Sequence, residues 1–203
     1  MEPTLIASCV GIGVNTVTAV INGYKAFKMT NVEKYFKGLI ESGQDLTSIG
    51  DKDELQRHFF SMVDKVANEV NLEKIESWKN AMVHLATDFK DFDFKDNFIR
   101  SLEDLTVFDL TVLHKIYSTE FVKEHFEDEL FDFFYNREVP KDFVLQSLKR
   151  LSSYNLITEK VESTGGAFLS GGVPTLGLLY YTKNELGPTF IRFISDNFTT
   201  GSR

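Results

Sequence analysis

Apolar residues return at every third or fourth position along most of this chain, which is the period of helices rather than strands. The first stripe is Ile6, Val10, Val14, Val17, Ile21 and Tyr24, widened by Cys9, Ile12, Ala19 and Val20. It lies in a run from Pro3 to Tyr24 that holds no charged residue. From Asn31 to about Ala86 the pattern predicts further helices. Val32, Tyr35, Phe36, Leu39 and Ile40 make the face of one. Leu55, Phe59, Met62, Val63, Val66 and Val70 repeat along the next, which Asp51–Glu54 opens. Ile75, Trp78, Met82 and Leu85 mark another, starting near Leu72. Gly43 and Gly50, each beside a serine or polar residue, punctuate the spacing. The stretch DFKDFDFKDNF at 88–98 repeats a Phe-Lys-Asp unit once. That is too little for a repeat architecture, and it reads as a connector whose rings pack inward.

The second half changes register. Thr106 to Tyr117 reads as a helix with Val107, Leu110, Val112, Leu113 and Ile116 inward, and Phe121 to Tyr135 as an acidic, Phe-rich one. Pro140 suits the start of a third, because its missing N–H costs nothing in a first turn. There Val144, Leu145, Leu148 and Leu151 point one way, and Gln146, Lys149, Arg150 and Ser153 the other. Leu156–Val161 and Leu178–Thr182 are strand candidates, joined by the glycine-paired segment ESTGGAFLSGGVPTLG as a long hairpin loop. Thr182 and Glu185 match a capping box, though Pro188 allows the last helix to start at Gly187-Pro188. Its core face is Phe190, Phe193, Ile194 and Phe198.

The order helix, helix, helix, strand, loop, strand resembles a winged helix-turn-helix. LxxLxxxNLI at 148–157 is similar to a recognition helix running into a first wing strand. YYTKNELGPTFIRFI at 180–194 is similar to the second strand and its following helix. The whole layout also resembles bacterial and prophage proteins of the Abi-alpha abortive-infection type, through Phe98, Leu102, Leu105, Asp109 and Leu113 and the two segments just quoted. That resemblance implies a part in phage resistance, cytoplasmic or membrane-associated, with no catalytic residues to carry over. The expected fold is therefore mainly α. Residues 1–97 form an N-terminal helical bundle, and residues 98–203 a winged-helix domain with a two- or three-stranded hairpin.

Charge then narrows the roles. The chain carries net charge −8, the wrong sign for a polyanion partner, but unevenly. Residues 101–138 hold 3 basic and 10 acidic side chains, net −7, while residues 141–203 hold 7 and 5, net +2. Lys141, Lys149, Arg150 and Lys160 against Asp142 and Glu159 leave +2 over 141–160. A dimer presenting Lys141, Gln146, Lys149, Arg150, Ser153 and Lys160 twice would approach the phosphate contacts that DNA binding needs. Arg150 and Gln146 are able to read guanine and adenine edges. The competing reading is an ordinary solvated face.

The charge-free N-terminal run is long enough to reach across a bilayer core, yet Asn15, Thr16, Thr18 and Asn22 interrupt it and no basic n-region precedes it. Ile6, Val10, Val14, Val17 and Ile21 are thus candidates for self-association first, and for membrane insertion over residues 4–24 second. Phe168, Leu169, Val173 and Leu176 make the loop between the strands too apolar for free solvation. It either binds a partner or folds back on its own domain. Glu124, His125, Asp128, Glu129 and Asp132 have weak ligand spacing, and His58, His84 and His114 sit near core stripes. Neither a phosphate loop nor a nucleophile elbow is present. The lone thiol, Cys9, rules out an intrachain disulfide and fits a cytoplasmic protein. The reading is a non-catalytic interaction or regulatory protein without metal or cofactor, with a homo-oligomer expected and another protein, nucleic acid or a membrane as other partners. A dimeric DNA-binding transcriptional regulator is the alternative, and a membrane-active effector acting through residues 4–24 a further one.

Overall fold

A computed structural model describes residues 14–43, 53–87, 92–118, 126–162 and 178–195. Among them the chain is mainly helical, with eight helices and one small antiparallel sheet. It divides into two compact units, Met1–Asp88 and Phe89–Arg203.

The first unit packs three helices, α1 (Val14–Glu41), α2 (Asp53–Asn68) and α3 (Leu72–Thr87). Sequence reasoning separated the run ending at Tyr24 from a helix at Asn31. The structure joins them into one helix of 28 residues. The intervening Lys25-Ala26-Phe27-Lys28-Met29 are mostly good helix formers, and exposed Gly23 costs only about 1 kcal/mol. Its core face is Asn31, Tyr35 and Leu39, one position every helical turn. They meet Leu55, Met62 and Val66 of α2 and Ile75, Trp78, Met82 and Leu85 of α3, all buried. Tyr35 donates its hydroxyl hydrogen to the Met62 sulfur at 4.0 Å, and the Asn31 carboxamide donates to the Glu69 carbonyl at 2.8 Å. The other residues expected on this apolar face are not in the core: Val32 is half-buried, while Phe36 and Ile40 are exposed. Val70 lies beyond α2 and is exposed.

The second unit holds α4 (Phe92–Asp104), α5 (Val107–Ile116), α6 (Glu127–Tyr135), α7 (Lys141–Ser153), β1 (Thr158–Glu162), β2 (Leu178–Thr182) and α8 (Leu186–Ile194). The supposed connector at 88–98 turns into helix from Phe92, because Phe98, Ile99, Leu102 and Leu105 recur at helical spacing and are all buried. The expected division at 97/98 falls inside this helix. Phe98 packs against Phe190 and Phe193 at 5.2 and 5.5 Å between ring centroids, which ties α4 to α8. Leu110, Val112, Leu113 and Ile116 of α5 and Val144, Leu148 and Leu151 of α7 fill the rest of this core.

Two helices end in the same way. Asn155 sits at φ 57°, its N–H reaching the Ser152 carbonyl while Leu156 N–H reaches that of Leu151. Glu138 sits at φ 60°, with equivalent bonds to Tyr135 and, from Val139, to Phe134. Both are Schellman terminations, which use a left-handed residue to satisfy the last carbonyls. β1 and β2 pair antiparallel from Thr158↔Thr182 to Glu162↔Leu178. The last helix is not capped by Thr182. The Asn184 side-chain oxygen accepts from Leu186 N–H at 3.0 Å and Gly187 N–H at 3.1 Å, an Asx arrangement that competes well with a threonine two residues further away.

Candidate functional site

The exposed part of α1 is the first surface of note. The α2–α3 connection meets α1 at Asn31, whose carboxamide donates to the Glu69 carbonyl. Asn22, Gly23, Lys25, Ala26, Phe27, Met29 and Thr30 are exposed and Lys28 is half-buried. From Val14 to Thr30 this stretch is about 25 Å long. Val14, Val17 and Ile21 lie within it by backbone, and by sequence they continue the register of Tyr35 and Leu39. Ile6 and Val10 are outside the described residues. No helix among the described residues is long and apolar enough to cross a membrane. Further along α1, Met29, Phe36 and Ile40 form a second exposed apolar stripe beside Glu33, Lys37 and Glu41.

The predicted outer face of α7 is the second. Gln146, Lys149 and Ser153 are exposed, as are Lys141 at the helix start and Lys160 on β1. Lys141 places its ammonium 4.3 Å from the centre of the Phe131 ring, and the Ser153 hydroxyl donates to the Arg150 carbonyl. Arg150 behaves differently from its neighbours. Its guanidinium turns inward and donates from Nε to Asp109 Oδ2 at 2.9 Å and from Nη2 to Oδ1 at 2.8 Å. This fork uses the planar donors that base recognition requires.

Asp109 is the focus of the unit. It is 0 % exposed, yet its carboxylate accepts five hydrogen bonds. Thr106 supplies its backbone N–H and its hydroxyl, Ser147 its hydroxyl at 2.7 Å, and Arg150 the remaining two. Thr106 is also the N-cap of α5, so one buried carboxylate both closes a capping box and locks α5 to α7. Burial pushes the Asp109 carboxyl up, but the bonds from Arg150, Ser147 and Thr106 outweigh it and hold the group below the usual carboxylate range. Sequence reasoning had Asp109 only as part of a family resemblance. The usable signal was Thr106 three residues ahead of it, the spacing of a capping box.

A second knot fixes the base of the hairpin. Tyr117, at the end of α5, donates to the Leu156 carbonyl at 2.9 Å and accepts from Asn184 N–H at 2.9 Å. The Asn184 carboxamide donates to the Asn155 carbonyl at 2.8 Å. A methyl on Gly187 would lie 2.2 Å from the Tyr117 ring, so only glycine fits there. The predicted loop residues Phe168, Leu169, Val173 and Leu176 lie outside the described residues, as do Glu124 and His125. Among the described residues, no group of three His, Cys, Asp or Glu is placed to hold a metal ion.

No family model, no curated protein and no solved structure matches the chain.

Proposed function

We propose that this chain is a non-catalytic interaction or regulatory protein that works as a homo-oligomer. α1 is the self-association element, and the second unit, read as a winged-helix module, supplies a further contact surface. A role in phage defence or on a mobile element is part of the proposal, and its support is the resemblance of the sequence to abortive-infection proteins. One observation carries the reading: ahead of the buried Asn31, the described residues of α1 leave Phe27 and Met29 exposed. Short helical stretches without tertiary packing are marginal in water, so such a segment needs a cover. A second copy of the chain is the cover proposed here.

Amide hydrogen exchange tests this. Self-association predicts slow exchange between Val14 and Thr30 that becomes faster on dilution. Exchange there at the rate of unstructured chain, at every protein concentration, defeats the proposal.

Duplex DNA is the second reading, favoured by the exposed Gln146 and Lys149 on α7 beside a two-stranded hairpin. The Arg150–Asp109 fork weighs against it, because it removes the best base-reading group from that face. What remains per copy is a few cations, fewer than the roughly 6–10 phosphate contacts typical of strong binders.

A further inference from the structure

The second unit contains a pocket of about 260 Å³ that shares only Ser153 with the outer face of α7. Three elements wall it: Asn97, Phe98, Arg100 and Ser101 from α4, Ser153, Tyr154 and Asn155 from the end of α7, and Leu186 at the start of α8. We propose that this pocket is a binding site for a small organic monoanion, with a carboxylate held by the Arg100 guanidinium and the Asn97 and Asn155 carboxamides.

Three observations converge on that ligand. First, the donors are uncommitted. Arg100 makes no hydrogen bond or ion pair with a described residue, and neither do the carboxamides of Asn97 and Asn155. A guanidinium offers a planar pair of N–H groups that matches a carboxylate, and each carboxamide adds donors beside it. Second, the walls are already set. Ser101 is pinned to the Asn97 carbonyl at 2.8 Å, and the Tyr154 hydroxyl donates to Asp104 at 2.6 Å. Asn155 is fixed in the left-handed region by its bond to Ser152, while its carbonyl is held by Asn184. The backbone and the Tyr154 ring are thus set, and only the exposed Arg100, Asn97 and Asn155 side chains have to be ordered on binding. Third, charge and shape select the ligand. Asp96, Glu103 and Asp104 share α4 with Arg100, the one charged residue that lines the pocket. A polyanion is repelled there, whereas a single charge is neutralised by Arg100. Phe98 and Leu186 give an apolar wall for a short hydrocarbon or ring, as small-molecule sites usually have.

The experiment is a nuclear magnetic resonance titration of the full chain with acetate, butyrate and benzoate at fixed ionic strength. The signals followed are Arg100 Nε–H and the side-chain amides of Asn97 and Asn155. Saturable shifts confined to this set, strengthening from acetate to butyrate or benzoate, are the expected result. Arg100→Gln should weaken them about ten-fold or more, as expected for loss of one charged hydrogen bond. Asn155→Gly retains the left-handed backbone and should bind more weakly while the remaining spectrum is unchanged. The proposal is overturned if chloride produces the same shifts or if Arg100→Gln binds as well as the parent. It is equally overturned if methyl phosphate dianion or a duplex oligonucleotide moves these signals at lower concentration than any carboxylate.

Discussion

Removing Arg150 should cost the second unit more than removing the charge of Asp109, although the two form one ion pair. The asymmetry comes from burial. The Arg150 side chain is 39 % exposed and the Asp109 side chain 0 %. In Arg150→Gln the carboxylate remains buried with only Ser147 and Thr106 as donors. Breaking a buried pair in this way costs about 3–5 kcal/mol, and the wet end of Arg150 sets the low end, about 3 kcal/mol. In Asp109→Asn the guanidinium swings to water, and the loss is that of weakened neutral hydrogen bonds, about 1–2 kcal/mol. The double variant should lose less than the sum of the two. Acid supplies a second signature. In the parent the Asp109 carboxyl titrates below its unfolded value, so its contribution is complete above that value and lost as pH falls through the folded one. Without Arg150 the largest lowering influence is lost, so the folded carboxyl titrates higher than in the parent and acid costs the variant less. The deficit of Arg150→Gln should therefore shrink as pH drops from about 7 toward about 4. Hydrogen exchange of the α5 and α7 amides, read across this pH range, measures both effects locally. An Arg150→Gln cost under about 1 kcal/mol, or one smaller than that of Asp109→Asn, would refute the reasoning.

Three further outcomes follow from the same geometry. Gly187→Ala should lower the thermal midpoint by the equivalent of about 2 kcal/mol or more, because the new methyl meets the Tyr117 ring, and the double variant with Tyr117→Leu should lose less than the sum of the two single changes. Glu138→Gly should stabilise the second unit by about 0.5–1 kcal/mol in urea unfolding, since glycine holds the left-handed end of α6 without the Cβ penalty. In a mobility-shift assay at physiological salt the parent should not retard duplex DNA. Weak retardation at low salt should fall with Lys149→Glu, a change that leaves the Arg150–Asp109 fork intact.

Which features were legible from sequence follows their physical origin. Periodicity located α3, α5 and α7, because buried positions such as Trp78, Met82, Leu113, Leu148 and Leu151 recur at the helical interval. It missed the helix at Phe92, where a charged, Phe-rich run hid the onset of the Phe98–Leu102 stripe. It also placed Arg150 on the wet side of α7. Angular position brings Arg150 to the boundary of that face, and a buried carboxylate 41 residues earlier in the chain draws it inward. No local pattern reports a partner so distant. The Arg100 pocket is hidden for a similar reason, since it is assembled from segments whose proximity only the fold creates. The Asn184 cap is local, two and three residues ahead of the amides it accepts from, and competes with Thr182 as the expected cap.

Self-association through α1 is the central claim, and molar mass by light scattering tests it most directly. The account predicts a particle of at least twice the 23.2 kDa chain that persists in high salt and falls to one chain with Val17→Asp. A single-chain mass for the parent at every concentration contradicts it.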